Sequence, residues 1–241
     1  MSATVRVANT VRRTAGPWTP TIHRLLRHLH GRGIAWVPLP LGMTDEPEPR
    51  EVLTFLPGTV PQDPMPTWVW TDAVLVDAAA RLAALHGAGC DFDTAGGCWQ
   101  LPVHAPAEVI CHNDFAPYNL VFDAGRAIAG VIDWDTASPG PRVWDVAYLA
   151  YRLVPLAAPA NPDIGRRGDR DERRRRLALL CESYGHDLEP AEVAATAVRR
   201  LRELADFTAA RAAAGPPQLD DHVRLYRDDA VWLSASLREF R

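Results

Sequence analysis

Residues 109–135 read VICHNDFAPYNLVFDAGRAIAGVIDWD, and this stretch decides how the whole chain is interpreted. Its apolar segments predict a short buried strand at Val109–Cys111 and a hairpin made by Leu120–Phe122 and Ala127–Ile132. A tight polar loop with the spacing His112-x-Asp114-x-x-x-x-Asn119 separates the strand from the hairpin. Asp133 follows the hairpin, so that acidic and amide side chains stand at the ends of neighbouring strands.

These polar residues suit phosphoryl transfer, which asks for little covalent chemistry from the protein. A carboxylate must orient the incoming hydroxyl and accept its proton, and oxygen ligands must hold Mg²⁺ on the nucleotide phosphates. Asp114 fits the first requirement, and Asn119 and Asp133 fit the second. The alternative interpretation is a polar hairpin loop in which Asp114 and Asn119 only cap turns.

The spacing resembles the catalytic and metal-binding loops of the aminoglycoside phosphotransferase/choline kinase-like family, whose members are relatives of protein kinases. The resemblance implies that Asp114 is the catalytic base and that Asn119 and Asp133 bind magnesium. Asp135, two residues further on, is either an additional ligand near the metal or a solvated acid.

Two flanking segments extend the resemblance. Arg81–His86 is similar to the end of the helix that precedes the family's catalytic strand. Trp144-Asp145-Val146-Ala147 is similar to a segment whose aspartate braces the catalytic loop by hydrogen bonding. The resemblance therefore gives Asp145 a supporting role in catalysis, and His112 a similar one inside the loop.

The resemblance also implies a two-lobed protein kinase-like α+β fold, with a small β-rich N-terminal lobe and a larger, mainly helical C-terminal lobe. We expect a shortened nucleotide-binding lobe at residues 1–58 and a catalytic and acceptor-binding lobe at residues 59–241. In the first lobe, the sequence pattern predicts a hairpin, a helix and two strands, located at Thr4–Arg13, from Thr19 to about Gly31, and at Val37–Leu41 and Glu51–Leu56.

The second lobe carries helical periodicity along most of its length. The predicted helices begin after Thr71 and then lie near residues 143–153, 171–184, 190–213 and 219–239. Residues 155–169 are rich in Pro, Ala and Gly, and they predict a loose surface loop.

The N-terminal lobe departs from the family pattern. Kinase-like enzymes hold the nucleotide phosphates with a glycine-rich hairpin and with a lysine that pairs with a helix glutamate. This chain has no glycine before Gly16, all 26 basic residues are arginine, and Thr21–Leu29 contains no acid. The lysine position falls around Val11-Arg12-Arg13, and Arg12 or Arg13 is expected to take the role of the lysine, because a guanidinium binds phosphate bidentately. Side chains alternate across a strand, so only one of the two can face the cleft.

The segment Leu53–Gly58 resembles the family's interlobe hinge, whose backbone pairs with the edge of adenine. Phe55 and Leu56 are the candidates for this contact. Viewed alone, the same segment is also compatible with an ordinary edge strand that ends in a turn.

The leading hypothesis is a Mg²⁺-dependent phosphotransferase that moves the γ-phosphate of ATP, or of GTP, to a hydroxyl of a small molecule. The alternative is a catalytically impaired kinase-like protein with a binding, immunity or regulatory role, because the glycine loop, lysine and glutamate are missing. The sequence does not specify the acceptor molecule. Four aspartates of the C-terminal region are available to bind a cationic acceptor: Asp220, Asp221, Asp228 and Asp229.

The amino-acid composition excludes several other classes of protein. The net charge of −4 argues against a nucleic-acid binder. No run of 18 apolar residues is present and the first 20 residues contain no apolar signal core, so we expect a cytoplasmic protein that does not enter the membrane. The four cysteines have no metal-ligand spacing, which suits a reducing compartment.

Overall fold

The computed structural model describes residues 4–163, 168–212 and 218–240. The chain divides into two compact units. The first unit combines Met1–Val60 with Arg81–Arg142, and the second combines Pro61–Ala80 with Val143–Arg241.

A four-stranded antiparallel sheet opens the first unit. Its strands lie in the order β1-β2-β4-β3, and their bounds are β1 Val5–Val7, β2 Thr10–Thr14, β3 Pro40–Met43 and β4 Arg50–Thr54. The predicted hairpin is confirmed, with Ala8 and Asn9 forming its turn. In the register of β2 against β4, Arg13 stands opposite Glu51.

Helix α1, Thr19–Gly31, covers this sheet region with an apolar stripe. The stripe consists of Ile22, Leu25, Leu26 and Leu29, each at most 1% exposed. Their spacing of three and four residues places them on one side of the helix, as the sequence pattern predicts. His23, on the same helix, is also buried.

Two small antiparallel ladders form the remainder of the first unit. Strand β5, Val109–Cys111, pairs with β8, Ser138–Gly140, and β6, Leu120–Phe122, pairs with β7, Ile128–Val131. A 3₁₀ turn, Pro117–Asn119, leads directly into β6. All three residues of β5 and of β6 are buried, as expected for short apolar strands that cross a core.

The second unit is helical. After a 3₁₀ turn at Thr67–Trp70, its helices are α2 Asp72–Gly89 (which continues into the first unit), α3 Arg142–Leu153, α4 Arg170–Tyr184, α5 Pro190–Ala212 and α6 Gln218–Ser236, followed by a 3₁₀ turn at Leu237–Phe240. The predicted helices are therefore confirmed to within a few residues. No helix in the described ranges is long and apolar enough to cross a membrane.

The segment after α3 is not the loose surface loop that its composition predicts. Leu156 and Ala157 are buried, and Asn161 is 2% exposed. The cause is Asp229 on α6, whose carboxylate accepts hydrogen bonds from the Asn161 amide at 2.6 Å and from the Ala158 backbone N–H at 2.8 Å. Of the remainder of the predicted loop, residues 164–167 lie outside the described ranges.

Candidate active site

The loop between β5 and β6 is fixed by hydrogen bonds to the segment between β7 and β8. The Asn113 side chain donates to the Thr136 carbonyl at 2.9 Å and to Ser138 Oγ at 2.8 Å, and Thr136 Oγ1 donates to the His112 carbonyl at 3.0 Å. Asn113 has a φ of 66°, a left-handed conformation that asparagine tolerates better than most residues. These hydrogen bonds therefore attach the loop to the residues before and at the start of β8.

His112 supports the loop from inside. It is 1% exposed, and its ring lies edge-on to Trp134 with centroids 4.7 Å apart. Its Nδ1 accepts the Asp114 backbone N–H at 3.3 Å, and its Nε2 therefore donates to the Ile132 carbonyl at 3.0 Å. The imidazole thus joins the start of the loop to the end of the hairpin.

Asp114 has both carboxylate oxygens engaged within the loop. Tyr118 Oη donates to Oδ1 at 2.6 Å, and Asn119 Nδ2 donates to Oδ2 at 2.8 Å and to the Asp114 carbonyl at 2.9 Å. Burial raises the pKa of Asp114 above its ordinary value, although the hydrogen bond from Tyr118 opposes the change. A carboxylate with a raised pKa is a better proton acceptor, as a general base requires.

Arg13 joins the sheet to the segment that follows β7. Its Nε donates to Glu51, its Nη1 donates to Asp133 Oδ1 at 2.7 Å, and its Nη2 donates to Asp135 Oδ1 at 2.6 Å. One planar guanidinium can reach three carboxylates in this way because its donors form a fixed fork. Asp135 is therefore not a solvated acid, since its side chain is paired and only 23% exposed.

The charges in this cluster shift one another's pKa values. Burial lowers the pKa of Arg13, but the nearby Asp135, Glu51 and Asp133 more than compensate, so the pKa is raised overall. Burial raises the pKa of Asp135 to about 6, against the lowering effect of Arg13. Three acids around one guanidinium leave a local excess of negative charge.

Glu51 is a site residue that the sequence reasoning missed. It is 1% exposed on β4, accepts from Arg13 through one oxygen, and lies 3.0 Å from His23 Nε2 through the other. The glutamate absent from the helix is therefore supplied by the adjacent strand, while α1 contributes a histidine. One signal for it was available: an acid in one predicted strand, which can pair with an arginine directly opposite it in a neighbouring strand.

The other predicted site residues lie in three different places. Arg12 points away from the carboxylate cluster, with its Nη1 3.9 Å from Glu46. Asp145 is fully buried in α3, within the second unit. Phe55 and Leu56 line a cavity of the first unit.

This cavity has a volume of about 370 Å³, within the usual range for small-ligand sites. Most of its wall is apolar, contributed by Val11, Pro38, Leu53, Leu56, Val60, Val121 and Ile132. Its polar lining includes Arg13, Asn119 and Asp133. The cavity therefore combines an apolar surface with the groups predicted to contact phosphate and metal.

The segment around Gly58 passes close to β6 at one edge of this cavity. Thr59 and Phe122 exchange backbone hydrogen bonds of 2.8 Å, while the Phe55 N–H donates to the Asn9 carbonyl at 2.9 Å. The Arg6 guanidinium lies 3.7 Å from the centre of the Phe55 ring, a cation–π contact. The Phe55 amide is thus engaged with the hairpin turn.

The residues present fit a hard divalent cation. Asn119 uses its amide nitrogen toward Asp114, which directs its oxygen elsewhere, and Asp133 uses only Oδ1 toward Arg13. Amide and carboxylate oxygens are the ligands that Mg²⁺ prefers. Asp133 also has a φ of 63°, a strained value for a residue other than glycine, and such strain is concentrated at functional sites.

The sequence and the fold of this chain are similar to those of known phosphotransferases. Residues 97–180 match the model of the phosphotransferase enzyme family. The predicted family resemblance is confirmed. The ethanolamine kinase of Plasmodium vivax superimposes with a TM-score of 0.67 at 9% identity, covering 96% of this chain and 82% of its own. This likeness shows the predicted two-lobed, α+β kinase-like fold.

Two further proteins are similar to this kinase-like chain. The macrolide 2′-phosphotransferase of Brachybacterium faecium gives a TM-score of 0.61 at 15% identity, covering 93% of this chain and 87% of its own. The trifolitoxin immunity protein of Rhizobium leguminosarum bv. trifolii is 29% identical over 188 residues, which are 75% of this chain and 69% of that protein. The family match supports a small-molecule phosphotransferase.

Proposed function

We propose that this protein is a Mg²⁺-dependent phosphotransferase that moves the γ-phosphoryl group of ATP, or of GTP, to a hydroxyl of a small molecule. The observation that carries the proposal is the cavity whose apolar wall meets Arg13, Asn119 and Asp133. A nucleotide needs both surfaces, since its base is flat and apolar on each face and its phosphates are charged.

In this proposal the base lies between Val11 and Leu53 on one side and Val121 and Ile132 on the other. The Phe55 N–H already donates a hydrogen bond to the Asn9 carbonyl. The backbone groups that contact the base are therefore the Phe55 carbonyl and the Leu56 peptide. Arg13 contacts the phosphates in the role that a lysine has in related enzymes, while Arg12 does not take part.

Asn119 and Asp133 are the residues that would hold Mg²⁺. The three acids around Arg13 carry two negative charges more than the guanidinium neutralises, which matches the charge of one divalent cation. When bound, Mg²⁺ neutralises charge on the phosphate oxygens. Arg13 and Glu51 in turn keep Asp133 from turning away from the cavity.

Asp114 orients the acceptor hydroxyl and takes up its proton. His112 fixes the Asp114 backbone, and Asn119 fixes its carboxylate, so the base is preorganised without help from the acceptor. We assign Asp145 the supporting role that the family resemblance implies. The lobes are proposed to be residues 1–58 for nucleotide binding and 59–241 for catalysis and acceptor binding.

A thermal-shift titration tests nucleotide binding directly. Mg·ATP or Mg·GTP should raise the melting temperature of the wild-type protein, because a ligand that binds only the folded state stabilises it. Asp133→Asn should lose most of the magnesium-dependent part of this shift. The matched control is Asp45→Asn, an exposed acid in the turn between β3 and β4, which should keep the full shift.

Phosphoryl transfer is then measured as acceptor-dependent release of nucleoside diphosphate. Ethanolamine, macrolides and aminoglycosides are the first acceptors to test, since they are named for proteins of the same fold. Asp114→Asn should abolish transfer and keep the nucleotide shift. Unchanged turnover in that variant contradicts the assignment of Asp114.

Of the acids available to a cationic acceptor, Asp229 is already engaged. Its carboxylate is fully buried and accepts hydrogen bonds from Tyr151, Asn161 and the Ala158 backbone. Asp221 is paired with Arg224 on the same helix. Asp220, Asp221 and Asp228 are all exposed, and of these only Asp221 has an ion pair among the described residues.

The second candidate is a kinase-like binding or immunity protein without efficient catalysis. It is favoured by the similarity to the trifolitoxin immunity protein and by the absence of lysine. The titration above separates the two candidates. No shift at millimolar nucleotide, with or without magnesium, favours the binding protein.

A further inference from the structure

Tyr118 occupies the side of Asp114 that the proposed reaction needs. Its hydroxyl donates to Asp114 Oδ1 at 2.6 Å, within the short range of a charge-assisted O–H···O⁻ hydrogen bond. The other oxygen, Oδ2, is held by Asn119. An alcohol that approaches Asp114 to give up its proton must therefore meet an oxygen atom that already has a hydroxyl donor.

The backbone explains why this contact forms. Ala116 is extended, and Pro117 begins a 3₁₀ turn that places the Tyr118 hydroxyl against Asp114, four residues before Tyr118. Pro117 and Asn119 are buried and anchor the turn, whereas Tyr118 between them is only half-buried. The phenol can thus leave Asp114 by side-chain rotation, without disturbing the turn.

We propose that the Tyr118 hydroxyl is a built-in placeholder for the acceptor hydroxyl. With nucleotide bound and no acceptor present, it keeps water away from Asp114 Oδ1 and so limits wasteful hydrolysis. The acceptor displaces it and takes over the same hydrogen bond. The inference rests on the proposed phosphotransferase function and assigns to Tyr118 the control of access to its base.

The reaction that the placeholder suppresses is hydrolysis of the nucleotide. The oxygen of a water molecule bonds to the γ-phosphorus, and the bond from that phosphorus to the bridging oxygen breaks. The nucleoside diphosphate leaves with the bridging electron pair, and Asp114 takes the water proton. Tyr118 and the water compete for the same carboxylate oxygen, so removal of the phenol hydroxyl should favour water.

The test compares acceptor-free hydrolysis of Mg·nucleotide by wild type, Tyr118→Phe and Tyr226→Phe, a control on α6. Tyr118→Phe should hydrolyse about tenfold faster, the factor expected when one hydrogen bond to a charged group stops competing. The control should match wild type. Once an acceptor is known, Tyr118→Phe should also lower its KM, with the larger change in KM rather than in kcat.

A second measurement needs no nucleotide. The ring-carbon NMR signal of Tyr118 is identified by its absence in Tyr118→Phe. Its chemical shift should change in Asp114→Ala and should be unchanged in Asp45→Asn. A signal that does not move overturns the placeholder. Nucleotide binding with unchanged or slower hydrolysis in Tyr118→Phe also overturns it, as does a phosphoryl group found on Tyr118 of the wild type.

The two proposals fail in different ways. If neither wild type nor Tyr118→Phe binds Mg·nucleotide in the thermal-shift titration, the proposed phosphotransferase function is wrong, and so is the proposed role of Tyr118. If both bind and their hydrolysis rates are equal, only the placeholder is wrong.

Discussion

At the scale of single residues, Arg13 has contacts that a lysine could not reproduce. It is bonded to Glu51 on the adjacent strand and to Asp133 and Asp135 beyond β7. An ammonium group is a point charge on a flexible stem, whereas a guanidinium fixes several acceptors in one plane. The arginine therefore supplies both the positive charge and the geometry of the carboxylate cluster.

Glu51→Gln should weaken Mg·nucleotide binding by about tenfold, or about 1.4 kcal/mol. The amide keeps the size of the side chain but removes the charge that holds Arg13 Nε, so the guanidinium loses its orientation toward the cavity. Calorimetric titration measures the change in affinity, and a melting curve of each variant shows whether it is folded.

Glu46→Gln is the matched control for this substitution. Glu46 is exposed, and its only ion pair in the described residues is a 3.9 Å contact with Arg12. The affinity of this variant should equal that of wild type, because surface ion pairs contribute little. Equal affinities in wild type and Glu51→Gln would show that Glu51 does not position Arg13.

The sequence alone predicted part of the candidate active site. The loop spacing was sufficient to single out Asp114, Asn119 and Asp133, because these residues are close along the chain. The choice between Arg12 and Arg13 depends on which face of β2 points inward, and that is set by pairing with β4. Glu51 lies 38 residues from Arg13 and becomes its neighbour only through that pairing.

At the scale of secondary-structure elements, the close approach of the segment around residue 58 to β6 requires glycine at position 58. A Cβ atom there would lie 2.5 Å from the Phe122 carbonyl oxygen, and the φ of 147° is one that other residues rarely adopt. Gly58 thus allows the backbone contact between Thr59 and Phe122 that closes this edge of the cavity.

Gly58→Ala should lower the free energy of unfolding by about 1–3 kcal/mol, through strained backbone and steric overlap. Gly87→Ala is the control, because Gly87 lies exposed in α2 with no atom within 4 Å of its Cβ position. That change should raise the free energy by about 0.5–1 kcal/mol, since alanine favours helix. Denaturant unfolding curves test both, and destabilisation of equal size in the two variants would exclude a specific role for Gly58.

The prediction of secondary structure was accurate for helices, where the apolar periodicity is strong. It was less accurate where contacts between residues distant in sequence determine the structure. The helices follow from apolar spacing alone. Strand β3 begins at Pro40 rather than at Val37, because Leu39 meets Thr54 partly through the threonine hydroxyl and not by a regular ladder. Residues 155–157 are buried although they are rich in alanine and proline. The residue that follows them, Ala158, is held by a hydrogen bond to Asp229, which is too distant in sequence for a local pattern to reveal.

At the scale of the whole molecule, the four cysteines divide into two classes. Cys90 and Cys98 are exposed, and Cys111 and Cys181 are buried. A thiol reagent reacts with the thiolate, and burial raises the pKa of Cys181 to about 11. The native protein should therefore show two rapidly reacting thiols at neutral pH, and four after denaturation.

A thiol assay with and without denaturant measures this difference, and Cys90→Ser with Cys98→Ser should remove the fast phase. Because Cys111 ends β5, directly before the loop that contains Asp114, protection of its thiol also shows whether that region is folded. Four fast thiols in the native protein would contradict the buried position of β5.

The absence of lysine has a practical consequence for finding proteins of this type. Reagents that mark nucleotide sites by acylating a nearby primary amine rely on a nucleophile that Arg13 does not offer, because a guanidinium stays protonated at any working pH. A chemical survey of kinases based on amine capture would pass over this protein even if every copy had nucleotide bound.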